Sequence, residues 1–120
     1  SAFGKLQEKG LFHTLMFESK KNFDYHDSVT LVYAKHYDFG QKVWGYPEYF
    51  VDFSEKTASI NVPVLVVGGT RDYTIGLNHP ELFKFPNMEI KYIPSGHAPY
   101  FEQTDILYDA VRPFLTKWSR

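Results

Sequence analysis

The chain of 120 residues contains no cysteine. It therefore forms no disulfide, holds no metal through thiolates and has no thiol nucleophile. Thirteen basic residues against fourteen acidic ones leave a net charge of −1, and without a basic block there is no electrostatic surface for nucleic acid. No apolar run approaches the roughly 20 residues that cross a bilayer. We therefore expect a soluble protein that binds neither nucleic acid nor membrane, and the absence of cysteine is consistent with the reducing cytoplasm.

The composition is that of a folded protein. Hydrophobic residues make up 43% of the chain and aromatic residues 18%, which is enough for a packed core and excludes a disordered chain. The length by itself fits one domain. The first residue is Ser1 rather than Met, which suggests a processed end.

The two halves of the chain differ in composition. The first half contains thirteen of the 22 aromatic residues but a single proline, Pro47, and the second half contains the other six prolines. We therefore place a boundary near Ser59 and expect two segments, residues 1–59 and residues 60–120. Aromatic residues at this density usually form a core, although they can also line an apolar pocket.

Short helices are predicted for the first half. Residues 11–19 are mostly apolar and contain neither glycine nor proline. Asp27 or Ser28 can cap a helix over residues 29–37. A third helix is predicted over residues 47–56, because proline is favoured at the first helical position.

The second half predicts the order strand, helix, strand, helix. Residues 62–67 form a largely β-branched run that ends at Gly68-Gly69, typical of a strand buried on both faces in a parallel sheet. A short helix follows over residues 80–85. Residues 88–93 alternate between apolar and polar side chains, which indicates a strand with one side partly exposed.

A longer helix is predicted at the end of the chain. It begins at Thr104 or Asp105 and carries an apolar stripe that reaches Trp118. Pro113 conflicts with an unbroken helix, because an interior proline costs about 3 kcal/mol. We expect a kink or a break there.

Two polar residues follow the ends of the two predicted strands. The short connection predicts a parallel pair with a right-handed crossover, and chemistry gathers at the carboxyl ends of such strands. Asp72 follows the first strand and His97 the second. A carboxylate that holds one imidazole nitrogen fixes the tautomer and leaves the other nitrogen as a base. Together they predict two thirds of a nucleophilic triad, whose third member would be a hydroxyl on a sharp strand-to-helix turn.

Two blocks of sequence resemble the end of the α/β-hydrolase fold. Residues 60–72, INVPVLVVGGTRD, resemble the strand and acid loop near the end of these enzymes. Residues 86–93 and then SGHAPYFEQ, residues 95–103, resemble the last strand and the histidine loop. The order of the acid and the histidine, with a helix and a strand between them, is also that of the family.

The resemblance implies a fold and an activity. It makes Asp72 the triad acid and His97 the general base. It implies an incomplete α/β fold, in which residues 1–59 form a helical cap or lid and residues 60–120 form the last β-α-β-α unit of the parallel hydrolase sheet. The most similar branches are proline-iminopeptidase-like enzymes and small esterases, which hydrolyse an ester, amide or peptide bond of a small molecule through an acyl-enzyme. Such enzymes need no cofactor and no metal.

The chain departs from the family pattern in three places. Tyr73-Thr74 and Gln103-Thr104 stand where the family often has a proline. More importantly, the sequence contains no Gly-x-Ser-x-Gly, and the oxyanion-hole loop and the first strands are missing. We therefore expect the C-terminal portion of a serine hydrolase whose nucleophile lies outside this chain, and expect the chain alone to be inactive. The alternative is a truncated, inactive relative that acts as a binding or regulatory module. A lyase on the same fold is a third reading.

Each candidate residue also has a simpler role. Asp72 alone would more often be a surface acid that pairs with Arg71 or caps a turn, and His97 alone could be a turn residue. Ser95 is expected to form a turn rather than act as a nucleophile. Glu102 is expected to serve the N-terminus of the following helix.

The remaining histidines and two aromatic residues are assigned structural roles. Four histidines lack metal-ligand spacing and are expected to be surface or structural residues: His13, His26, His36 and His79. Trp44 and Tyr100 are expected to pack in the core rather than contact substrate.

Two parallel strands do not make an independently stable sheet. Because the first strand is predicted to be buried on both faces, its free edge must be covered. We expect the isolated chain to form a homodimer or a strand-swapped oligomer.

Overall fold

The computed structural model describes residues 1–32 and 42–119. Within these residues, helices and short 3-10 turns surround a two-stranded parallel sheet, so the architecture is α/β and incomplete. The helices and strands are α1 (Ala2–Glu8), α2 (Lys20–Val32), β1 (Val64–Gly69), β2 (Met88–Ile93), α3 (Pro99–Glu102) and α4 (Thr104–Trp118). The 3-10 turns are Phe12–Leu15, Pro47–Phe50, Ser54–Ser59 and His79–Leu82. No helix in the described ranges combines the length and the apolar character that crossing a membrane requires.

The predicted helix over residues 11–19 is wrong. Only Phe12–Leu15 forms a 3-10 turn. The chain leaves the helical path because the carbonyl of Met16 accepts a hydrogen bond from the backbone N–H of His97, at 2.9 Å. A tertiary contact thus takes the acceptor that a longer helix would use.

Helix α2 begins at Lys20, well before the predicted start at Val29. Ser19 precedes it, and its hydroxyl accepts a hydrogen bond from the N–H of Asn22 at 3.4 Å. The predicted caps lie inside the helix, where the Ser28 hydroxyl donates to the carbonyl of Tyr25 at 2.7 Å. The predicted end of this helix, at residue 37, lies outside the described residues.

Two 3-10 turns replace the predicted helix over residues 47–56. Pro47 occupies the first turn's opening position, as predicted. The turns are separated at Val51, whose ψ of 128° is extended rather than helical.

The aromatic residues of this region lie at the surface. Trp44 is 60% exposed and Phe50 66%. They pack on one another and on Tyr49, with ring centroids 4.8 Å apart for Trp44–Tyr49 and 5.4 Å for Tyr49–Phe50. The expectation that Trp44 packs in the core is therefore wrong.

The parallel strand pair is confirmed. Val64 lies opposite Met88, and the register continues to Gly69 opposite Ile93. Strand β1 includes the two glycines that were predicted to end it, and Pro63 lies just before it. The expected burial of β1 on both faces is wrong: residues 64–68 are half-buried and only Gly69 is buried.

A cavity of about 240 Å³ runs along β1. It contacts four consecutive residues, Val66 to Gly69, and no residue of β2. The outer wall is formed by the loop that follows β1, including Asp72, Ile75 and Phe83.

Tyr92 ties β2 to this loop. Its ring approaches Gly68, where an added Cβ would lie 3.2 Å from the ring and 2.7 Å from Pro80. Its hydroxyl donates to Glu81 at 2.9 Å. Burial and the Glu81 carboxylate raise the pKa of Tyr92, since ionisation would leave two adjacent negative charges.

Two further elements differ from prediction: the segment that connects β1 to β2, and the last helix. His79–Leu82 is a single 3-10 turn, with Pro80 near its start, instead of a helix to Phe85. Helix α4 starts at Thr104, as predicted, but runs unbroken through Pro113. Of the predicted kink or break, the break is wrong. Asp109 and Pro113 are both exposed, so water can satisfy the carbonyl that loses its amide partner.

Phe17 is the largest side chain of the buried core and is 1% exposed. Its ring lies 5.2 Å from His26, 5.5 Å from Phe101 and 6.3 Å from Phe23. Through these contacts the turn before α2 packs on α3, so Phe17 joins the two halves of the chain.

Replacing Phe17 with alanine is expected to lower the free energy of unfolding by about 3–5 kcal/mol, through the cavity it leaves. Phe3→Ala is the matched control, because Phe3 is 61% exposed, and should change stability by less than about 0.5 kcal/mol. Denaturant unfolding of both variants measures the difference. Equal losses would show that Phe17 is not a core residue.

The free edge of β1 predicts self-association of the 120-residue chain. Unpaired strand edges template further pairing, and a two-stranded sheet is marginal by itself. Sedimentation equilibrium over a micromolar concentration series should show a dimer or larger oligomer. A clean monomer throughout the series would contradict this expectation.

Candidate functional site

The two candidate residues lie in adjacent loops at the carboxyl ends of the strands. The ladder continues past β1, since the N–H of Thr70 donates to Ile93 at 2.8 Å and the N–H of Arg71 donates to Ser95 at 3.0 Å. The acid loop (residues 70–75) and the histidine loop (residues 94–98) therefore leave the sheet side by side. This placement follows from the parallel register, because both strands end at the same edge.

Asp72 and His97 form a hydrogen-bonded pair. The distance between Asp72 Oδ2 and His97 Nδ1 is 2.9 Å. An ionised carboxylate can only accept, so Nδ1 carries the proton and donates it to Asp72. The neutral ring then has a lone pair on Nε2. The sequence prediction that these two residues come together agrees with this geometry.

Asp72 is held by a second set of contacts. Its Oδ1 accepts hydrogen bonds from the N–H groups of Thr74, at 3.1 Å, and Ile75, at 3.4 Å. Asp72 is 6% exposed. A buried carboxylate needs such partners to offset its lost hydration, and here they also fix which oxygen faces His97.

The His97 side chain is 33% exposed. Among the described residues no hydrogen-bonding group contacts its Nε2. A base with one nitrogen held and the other open can take a proton from a hydroxyl brought against it.

Two glycines let the loops approach this closely. A Cβ on Gly69 would lie 2.6 Å from the carbonyl oxygen of Ser95, and a Cβ on Gly96 would lie 2.8 Å from that of Met16 and 3.0 Å from the N of Glu18. Side chains are excluded at both positions by backbone atoms. Three backbone segments are therefore stacked: the end of β1, the histidine loop, and residues 16–19, named here the bridging segment.

The bridging segment contacts both loops. The N–H of His97 donates to the carbonyl of Met16 at 2.9 Å. The Arg71 guanidinium forms an ion pair with Glu18, so the simpler reading in which Arg71 pairs with Asp72 is wrong. The first half of the chain thus holds both Arg71, next to the acid, and His97.

Glu102 does not have its predicted role at the start of α4. Its Oε2 accepts from the N–H of Gly96 at 2.8 Å, and its Oε1 accepts from the N–H of Ser19 at 3.1 Å. The residue before α4, Gln103, makes no side-chain cap either. Glu102 instead joins the histidine loop to the bridging segment. No local sequence pattern marks this role, because one of its partners is 83 residues away.

Six of the seven serine hydroxyls form hydrogen bonds with nearby backbone groups. Ser95 is fully buried, and its hydroxyl donates to the carbonyl of Gly96 at 3.1 Å, which agrees with its predicted turn role. Five other hydroxyls also bond backbone groups three residues away: those of Ser1, Ser19, Ser28, Ser59 and Ser119.

The other candidates lie away from the pair or do not form a site. His26 packs on Phe17, and His79 lines the cavity along β1; His36 lies outside the described residues. Across residues 1–32 and 42–119, no three His, Cys, Asp or Glu side chains are arranged to hold a metal ion. Tyr100 is 63% exposed, so the expectation that it packs in the core is wrong.

Replacing Gly96 with alanine is expected to separate the histidine loop from the bridging segment. The new methyl would have to displace backbone atoms, and such overpacking costs roughly 1–3 kcal/mol of the free energy of unfolding. Gly4→Ala is the matched control: Gly4 lies in α1 with its nearest neighbour at 3.5 Å, so alanine there should be neutral or stabilising. Denaturant unfolding distinguishes them, and a Gly96→Ala variant as stable as Gly4→Ala would refute the close approach.

Comparison of the chain with known proteins gave no match. No protein-family model, curated protein or solved structure matches the chain. The chemical reading of Asp72 and His97 therefore rests on their contacts and on the sequence pattern around them.

Proposed function

We propose that the chain is the C-terminal portion of a serine hydrolase of the α/β-hydrolase type. The 2.9 Å hydrogen bond between Asp72 and His97 carries this proposal. In it, residues 1–59 are the cap, residues 60–120 are the last β-α-β-α unit of the core, and the nucleophilic serine lies outside these 120 residues. The substrate is a small molecule with an ester, amide or peptide bond.

The proposed reaction uses the pair in two steps. The external serine hydroxyl attacks the substrate carbonyl and its proton passes to His97 Nε2, forming an imidazolium that Asp72 stabilises. His97 then gives that proton to the departing alcohol or amine, and an acyl-enzyme remains. In the second step Nε2 takes a proton from water, whose oxygen attacks the acyl carbonyl. The bond between the acyl carbon and the serine oxygen then breaks, the carboxylic acid leaves, and His97 returns the proton to the serine. No cofactor is required for either step.

Three observations support this assignment. The burial of Asp72 and its contacts to the amides of Thr74 and Ile75 hold the carboxylate in place before substrate arrives. The half-exposed His97 ring leaves Nε2 without a partner among the described residues. Both residues lie at the carboxyl ends of parallel strands, where this class of chemistry is found.

A fluorophosphonate probe tests where the nucleophile is. The 120-residue chain should not be labelled, and the product of the whole reading frame should be labelled at one serine outside residues 1–120. Labelling of any serine within this chain would contradict the proposal. An unreactive product of the whole reading frame would favour the inactive binding module instead.

The roles of the pair are tested by hydrolysis in that longer protein. Asp72→Asn, which disturbs the tautomer, should lower kcat by about 10⁴-fold, and His97→Ala by at least as much. Asp109→Asn is the control, because Asp109 is exposed on α4, and should leave kcat unchanged. Wild-type activity in His97→Ala would rule out the assigned base.

A further inference from the structure

We propose that Glu102 is a positioning residue for His97, and that through it the bridging segment sets the distance between His97 and Asp72. This inference rests on the proposed function only where it concerns catalysis. Its structural part concerns which atoms hold the histidine loop.

Both carboxylate oxygens of Glu102 accept hydrogen bonds from backbone amides. One amide belongs to Gly96, directly before His97, and the other belongs to Ser19. Hydrogen bonds to an ionised acceptor are stronger than neutral ones. A single half-buried side chain therefore fixes the histidine loop and the bridging segment relative to each other.

The bridging segment also holds the next amide of the histidine loop, that of His97. The N–H of His97 donates to Met16, so two consecutive amides, those of Gly96 and His97, are fixed by Glu102 and by the bridging segment. Packing reinforces this arrangement, since Phe101, next to Glu102, contacts Phe17 of the bridging segment at 5.5 Å.

The Asp72 carboxylate does not contact Glu102. Its carboxylate is oriented by the amides of Thr74 and Ile75 within its own loop. The acid loop also contacts the bridging segment, through the ion pair of Arg71 with Glu18. Loss of the Glu102 carboxylate would leave that ion pair in place and, within the two loops, release only the amide of Gly96. His97 would therefore be the residue that moves, and its hydrogen bond to Asp72 would lengthen. The segment that links the first half of the chain to this loop thereby controls whether the pair is formed.

The tautomer of His97 is the direct readout, because a loss of stability alone does not change it. In the neutral ring, the bond to Asp72 favours the Nδ1–H form, whereas a histidine without that partner can carry its proton on either nitrogen. Imidazole ¹⁵N shifts distinguish the Nδ1–H form, the Nε2–H form and the imidazolium, and so give the population of each form in the folded chain.

Four proteins are compared: wild type, Glu102→Ala, Glu102→Gln and the control Glu89→Ala. Glu89, like Glu102, is a partly exposed glutamate. It pairs with Lys117 and lies on β2, away from the histidine loop. The Nδ1–H form should dominate in wild type and in Glu89→Ala, and should fall severalfold in Glu102→Ala. Glu102→Gln should be intermediate, because its one carbonyl oxygen serves only one amide. Since it keeps the side-chain shape, it remains informative if the alanine variant fails to fold. An unchanged tautomer in Glu102→Gln, or an equal change in Glu89→Ala, would overturn the proposal.

Hydrolysis by the longer protein separates this inference from the proposed function. Glu102→Gln should lower kcat on the order of 10- to 100-fold with KM unchanged, as expected when a reacting group is misplaced. Absence of hydrolysis in wild type would refute the proposed function and leave the tautomer result standing. Hydrolysis in wild type with kcat unaltered by Glu102→Gln would refute the positioning role.

Discussion

The close stacking of three backbone segments is the constraint on which the site depends. The end of β1, the histidine loop and the bridging segment approach so closely that Gly69 and Gly96 have no room for a Cβ. This stacking places the loop after β1 beside the loop after β2, and so brings Asp72 within 2.9 Å of His97. It also brings residues 16–19, distant in sequence, against the backbone of the histidine loop. A bulkier residue at either glycine would separate all of these groups together.

The polar contacts around the stack divide into two sets. Asp72 is oriented from within its own loop by the amides of Thr74 and Ile75. His97 is oriented from outside its loop, by Met16 and, through Gly96, by Glu102. The Asp72 carboxylate is therefore oriented within its own loop, although the adjacent Arg71 pairs with Glu18, and the backbone of His97 depends on the first half of the chain. Buried Phe17 adds an apolar contact between the bridging segment and Phe101, next to Glu102.

The sequence predicts the strand pair and the candidate residues because their determinants are local. A β-branched run, a second alternating run and a short connection are sufficient for a parallel pair, whose loops then hold Asp72 and His97. Determinants distant in sequence were missed: the partner of Glu102 is 83 residues away, and Met16 leaves the predicted helix to bind His97. The predicted double burial of β1 fails for a different reason. Its apolar residues specify a covered strand, but within the described residues only β2 pairs with it.

The central claim is that His97 serves a serine nucleophile that this chain does not contain. The most direct measurement is a crystal structure of the product of the whole reading frame after reaction with a fluorophosphonate. The account predicts one phosphonylated serine outside residues 1–120, with its oxygen about 2.6–3.2 Å from Nε2 of His97 and with Nδ1 still bonded to Asp72. An adduct on a serine of this chain, or one beyond the reach of His97, would contradict it.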